Sequence, residues 1–135
     1  MLIKRIPALA AFLFLVSIPA AYAADASSSY LELQDAPTIA IDWSKGDIQS
    51  VTLGGNRTLT FSNGQKGQKY ALVIKQDAKG SRTVTWPTSV RWPGGAPQTA
   101  GQPVSVLTTT ANKTDYITFF YNGVNYDVLS LSQNY

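Results

Sequence analysis

The chain contains neither cysteine nor histidine. That double absence removes the Ser–His and Cys–His nucleophile pairs, thiol redox chemistry and Cys/His zinc sites from consideration. It also removes the disulfide as a brace, so packing and sheet hydrogen bonds must hold the fold. Charge is sparse as well, at 14% of residues. The carboxylates are Asp25, Glu32, Asp35, Asp42, Asp47, Asp77, Asp115 and Asp127. A glycosidase needs two of them facing each other across a cleft. Several instead sit beside Gly, Ser, Thr or Lys in expected turns, where Asp has an ordinary capping role. The turn Asn112-Lys113-Thr114-Asp115 lacks the spaced oxygen ligands of a calcium loop. No enzyme, catalytic residue, metal or cofactor is therefore expected.

A membrane-length apolar run is missing too. The longest, Ala8 to Ile18, falls well short of the roughly 20 residues a helical span requires. With Lys4 and Arg5 before it and Ala21-Tyr22-Ala23 after it, residues 1–23 read as a secretory signal peptide. The mature protein is expected to be periplasmic, extracellular or cell-surface, with no transmembrane anchor. No cysteine follows the cleavage site to carry a lipid. Removing the signal takes away Lys4 and Arg5 and no acid, so the net charge of +3 and the pI of about 9.2 belong partly to the signal. A nearly neutral domain has little electrostatic reason to seek nucleic acid.

After the signal no stretch shows helical periodicity, and two-residue alternation takes over. Residues 24–37 begin small and polar and read as a flexible N-terminal arm. Within it Tyr30-Leu31-Glu32-Leu33-Gln34 alternates, either as a short strand or as an arm that pairs with a neighbouring molecule. Thr38 to Trp43 and Ile48 to Leu53 read as strands, the latter with Val51 and Leu53 on one face. Arg57 to Phe61 points Leu59 and Phe61 inward and Thr58 and Thr60 outward. Tyr70 to Ile74 is apolar on both faces, as in a strand covered on both sides. Gly94 to Pro103 is a polar loop, and Val104 to Thr110 is threonine-rich and β-branched. Tyr116 to Tyr121 alternates, and Asn122-Gly123 is a strong hairpin signal returning through Tyr126 to Leu129. The expectation is all-β: a single antiparallel β-sandwich or jelly-roll of about eight or nine short strands over 38–135.

The stretch from Lys75 to Gly95 is the richest. A strand arriving at Gln76 turns through Asp77-Ala78-Lys79-Gly80-Ser81 and leaves as Arg82 to Trp86. Asp77 can bond its own backbone, and Gly80 can take the positive φ that closes a short hairpin. Val84 and Trp86 share a face, as do Val90 and Trp92, which favours the core for both tryptophans. Arg91 then points the other way. Exposed, Trp43, Trp86, Trp92, Tyr121 and Tyr126 would instead stack on sugar rings.

Several ordered pieces resemble one family. They are Ile41-Asp42-Trp43-Ser44-Lys45-Gly46, Val51-Thr52-Leu53, Asn56-Arg57-Thr58-Leu59-Thr60-Phe61 and Lys75-Gln76-Asp77-Ala78. Gly80-Ser81-Arg82-Thr83-Val84-Thr85-Trp86, Trp92-Pro93-Gly94-Gly95, Ala111-Asn112-Lys113-Thr114-Asp115, Tyr121-Asn122-Gly123 and Asn134-Tyr135 continue them. Together, over roughly Ile41 to Tyr135, they resemble a β module common near the C-termini of tail-fibre and minor structural proteins of tailed bacteriophages. The resemblance implies a non-enzymatic building or attachment module, often multimeric. The expected function is thus an exported structural or attachment protein that forms a homo-oligomer or filament. Its arm, with Tyr30, Leu31 and Leu33, would supply a strand to the next subunit. The alternative is a carbohydrate- or receptor-binding module that meets a cell-surface glycan through Trp86, Arg91, Trp92, Tyr121 and Tyr126.

Overall fold

The structure, a computed structural model, describes residues 29–93 and 107–135. The expected signal peptide, residues 24–28 of the expected arm and the stretch 94–106 lie outside them. Nine strands follow in order: β1 (Tyr30–Glu32), β2 (Thr38–Asp42), β3 (Ile48–Leu53), β4 (Arg57–Ser62), β5 (Lys69–Gln76), β6 (Val84–Thr85), β7 (Val90–Arg91), β8 (Thr114–Tyr121) and β9 (Tyr126–Ser132). They form a six-stranded sheet, β1-β3-β5-β8-β9-β7, and a three-stranded sheet, β2-β4-β6. No helix occurs among the described residues, and none there is long and apolar enough to cross a membrane. The expectation of an all-β fold with about eight or nine short strands agrees with this.

The pairing differs from it. From β1 to β6 each successive strand lies in the opposite sheet, so the chain winds as three stacked coils: β1/β2, β3/β4 and β5/β6. Within each sheet the coils pair in parallel, Tyr30 beside Ile48 and Ile48 beside Ala71 in one, Thr38 beside Thr58 in the other. Five of the seven described pairings are parallel, which corrects the expected antiparallel arrangement. Only β5–β8 and β8–β9 are antiparallel. Parallel neighbours need a crossover, and here the strand in the opposite sheet serves as one.

The turn after Gln76 shows how local chemistry and global path separate. Asp77 Oδ1 accepts from the amides of Lys79 and Gly80, and Gly80 adopts φ +64°. The expected turn is therefore present, but it is an arch: β6 leaves to pair with β4 rather than folding back on β5. The amide of Ser81 donates to Thr109 O. Leu107 to Thr110, part of the threonine-rich stretch, forms no strand and lies against this arch. The Asn122-Gly123 turn does close a hairpin, with Gly123 at φ +99° and Asn122 Oδ1 accepting from the amides of Val124 and Asn125.

The core lies between the sheets. Ile39, Ile41 and Leu59 from one face Val51, Leu53, Leu72, Ile74, Ile117 and Phe119 from the other, all nearly inaccessible. Trp43, just past β2, stacks on Tyr70 of β5, and Phe61 of β4 meets Trp43 and Phe119 of β8 edge-on, at 5.3 and 5.4 Å respectively. Two buried glutamines serve the corners where ladder bonds stop. Gln49 Nε2 donates to the carbonyls of Asp42 and Gly46. Gln76 Nε2 donates to Arg82 O and Thr108 O while its Oε1 accepts from Arg82 N. Each side-chain amide stands in for backbone partners that a turning chain cannot supply.

Three local expectations change. Residues 30–32 take the short-strand reading of Tyr30 to Gln34 and not the flexible-arm one: β1 is an edge strand on the chain's own β3, and Leu33 N continues the ladder to Ser50 O. Strand β5 is not covered on both sides; Tyr70, Leu72 and Ile74 are buried, whereas Ala71 and Val73 are half-buried on an outer face. In β9, Ser130 pairs with Thr118 and Val128 with Phe119, so Leu129 bulges outward unpaired. The extra residue lets both Val128 and Leu131 reach the core although three positions separate them.

Candidate functional site

The residues singled out from the sequence form two aromatic pairs and one ion pair. Trp86 is buried and meets half-buried Trp92 edge-on, with ring centroids 5.2 Å apart. Tyr126, also buried, stacks on half-buried Tyr121 at 4.3 Å. Burial pushes the Tyr126 phenol above its ordinary range. These rings complete the core and offer a ligand little surface. Arg91 is exposed, as its alternation with Val90 requires, and grips Asp127 with two bonds. That guanidinium holds the Asp127 carboxyl below the usual range. Of the arm residues, Tyr30 is exposed while Leu31 and Leu33 are half-buried, and Leu33 packs on the core.

Two more arginine forks lie at the arches joining β1 to β2, β3 to β4 and β5 to β6. Arg57 binds both oxygens of Asp35, and Arg82 both oxygens of Asp77. Each arginine holds its partner carboxyl below the ordinary aspartate range. Between the arches, Asn56 Oδ1 accepts from Thr83 N. At the opposite corner Asp42 Oδ1 accepts from Ser44 and from Asn63 Nδ2 of the next coil, and these bonds lower its pKa as well. Asp115, buried beneath the chain end, accepts from the amides of Thr108 and Asn134. These four carboxylates are thus engaged in holding coils and ends together, as Asp127 is in holding β7 to β9. Among the described residues, no three Asp or Glu side chains gather as metal ligands would.

The surface that stands out was not singled out from the sequence. It is the outward face of the six-stranded sheet. One cross-strand row runs Glu32, Ser50, Val73, Tyr116, Ser132, and the next runs Thr52, Lys75, Thr114. Between Tyr30 on β1 and Tyr116 on β8 these rows floor a groove of about 240 Å³. Tyr30, Tyr116 and Tyr135 are 63%, 46% and 66% exposed. Tyr30 Oη donates to Ser50 Oγ at 2.7 Å, which fixes that ring's tilt. Tyr116 and Tyr135 meet edge-on at 5.4 Å. Tyr135 is held in place because its backbone exchanges two bonds with Thr114. The signal for this face was the alternation of Lys69, Ala71, Val73 and Lys75, hidden by the small apolar residues within it.

A family model described as "putative phage tail fibre C-terminal domain" matches residues 36–126. The matched span runs from before β2 to the first residue of β9, so it takes in two of the three coils and leaves β1 and Tyr135 outside. No curated protein matches the chain.

Proposed function

The chain belongs to the family of phage tail-fibre C-terminal domains, and from that premise we propose that it is an exported, non-enzymatic structural and attachment subunit that associates with further copies of itself. Its first coil carries the reading. Both β1 and β2 are terminal in their sheets, so one end of the stack presents two parallel edges with no strand beyond them among the described residues. The bonds from Thr58 N to Pro37 O and from Trp43 N to Ser62 O put the odd-numbered residues of β2 in register with β4. Thr38 and Ala40 then turn their backbone groups outward, as Tyr30 and Glu32 do on β1. Stacked coils left uncapped in this way favour strand addition, which joins subunits through backbone bonds. Export rests on the basic start, apolar run and Ala21-Tyr22-Ala23 of the leader.

The test is particle size in solution. Light scattering on the chain from residue 24 onward should give multimers at micromolar concentration. Ala40→Pro removes only an outward N–H from an edge strand, a tolerated change. Combined with Glu32→Pro, it should give monomers with an unchanged circular-dichroism spectrum. A parent chain that stays monomeric at high concentration would end the assembly reading.

A further inference from the structure

We infer that the groove on the outer sheet face is a saccharide-binding site, with Tyr30 and Tyr116 as its walls and Tyr135 packed edge-on against Tyr116. The inference rests on the attachment part of the proposed function and not on the assembly part. Water-facing sheet surfaces are ordinarily paved with polar residues, and this one exposes three tyrosine rings around a half-buried valine. A sugar ring has an apolar C–H face and a rim of hydroxyls. It therefore needs flat aromatic surface beside alternating donors and acceptors.

Both are present. The β1 and β8 backbones lie three strand spacings apart, about 14 Å, which leaves room for a sugar unit between their side chains. The floor supplies the hydroxyls of Thr52 and Thr114, the ammonium of Lys75 and the carboxylate of Glu32. Neither Lys75 nor Glu32 forms an ion pair with the described residues. Their opposite charges cancel, so the groove has no attraction for a polyanion, and its shallow floor has no deep pocket for a peptide side chain. The walls are set before a ligand arrives. Tyr30 is tied to Ser50, and Tyr135, against Tyr116, is tied through its backbone to Thr114. Preorganisation of this kind reduces the ordering cost of binding.

The experiment is amide-shift mapping on the full mature chain. It is titrated with oligosaccharides built from glucose, galactose, mannose, N-acetylglucosamine and uronic acids. At least one should give saturable shifts confined to Tyr30, Thr52, Lys75, Thr114, Tyr116 and their neighbours. Tyr116→Ala should weaken that binding by about tenfold or more. Thr52→Arg, at an exposed floor position, should block it by filling the groove. Val124→Ala, on the exposed hairpin tip away from the face, should leave it unchanged. Three outcomes would overturn the inference: no sugar in the set shifts the face, the shifts fall elsewhere, or the face shifts with protein concentration alone. The last would mark it as a contact between copies. The first two outcomes leave the particle size that tests assembly untouched, and the third is told apart from edge pairing because Glu32→Pro with Ala40→Pro would not remove it.

Discussion

Arg57 reaches back 22 residues to clasp Asp35 with two nearly parallel bonds, 2.7 and 2.6 Å long. Asp35 lies in the arch before β2, and Arg57 opens β4, which pairs with β2 after the chain has passed through β3 in the other sheet. The pair therefore fastens one coil to the next. Gly54 is part of the same joint: a Cβ there would come within 2.6 Å of Asp35 Oδ2.

Acid should unfasten these joints. Asp35, Asp42, Asp77 and Asp127 are all held below the ordinary carboxylate range, by Arg57, by Ser44 and Asn63, by Arg82 and by Arg91 respectively. A lowered folded-state value gives stability that is complete above the unfolded value. That stability is lost as pH falls through the folded one. With no histidine to titrate, urea midpoints should stay flat from about pH 8 to about pH 5 and fall steeply below about pH 4. Asp35→Asn should flatten the acid limb. A midpoint that drops between pH 8 and 6 would contradict the assignment.

Gln76→Leu should be among the costliest single changes. Its amide makes three bonds to Arg82 and Thr108 inside the third arch. Leucine would leave those backbone groups buried and unpaired, at about 1–3 kcal/mol each. Equilibrium unfolding should register a loss of about 3 kcal/mol or more. Gln68→Leu, at the mouth of another turn, serves as a comparison with no such buried role.

At Gly80 the backbone sits at φ +64°, and a Cβ would lie 2.6 Å from Thr109 O and 2.7 Å from Ala111 N. Gly80→Ala should therefore cost more than the about 1–3 kcal/mol of left-handed strain alone. At Gly67, also at positive φ but open to solvent, the same change should cost only the strain. Thermal unfolding of the two variants separates crowding from backbone preference.

Deleting Leu129 should be far worse than replacing it. Leu129→Ala removes an exposed side chain, and melting should barely change. The deletion removes the bulge, so that Val128 and Leu131 can no longer both face the core. The chain should then lose its near-ultraviolet circular-dichroism signal.

Faces were legible in the sequence where alternation was strict. Ile48 to Leu53 is a strand with the expected bounds, and Leu59 and Phe61 turn inward against Thr58 and Thr60. Asn122-Gly123 closed the hairpin it promised. Partners were not legible. The bonds from Asp77 and the φ of Gly80 set the course of four residues. Whether the outgoing strand returns beside β5 or crosses to β4 is decided by which edge is free and which apolar face needs cover. The groove escaped for a related reason. Ala71 and Val73 read as core, and only the finished sheet shows that they floor an outer surface.

Strand β5 closes the stack of coils, and its second neighbour is β8, which the ribosome makes about forty residues later. Until β8 emerges, that edge of β5 has no partner among the described residues, and the β8–β9 hairpin is the described pairing closest in sequence. Synthesis of the three coils therefore runs ahead of the pairing that seals their last edge.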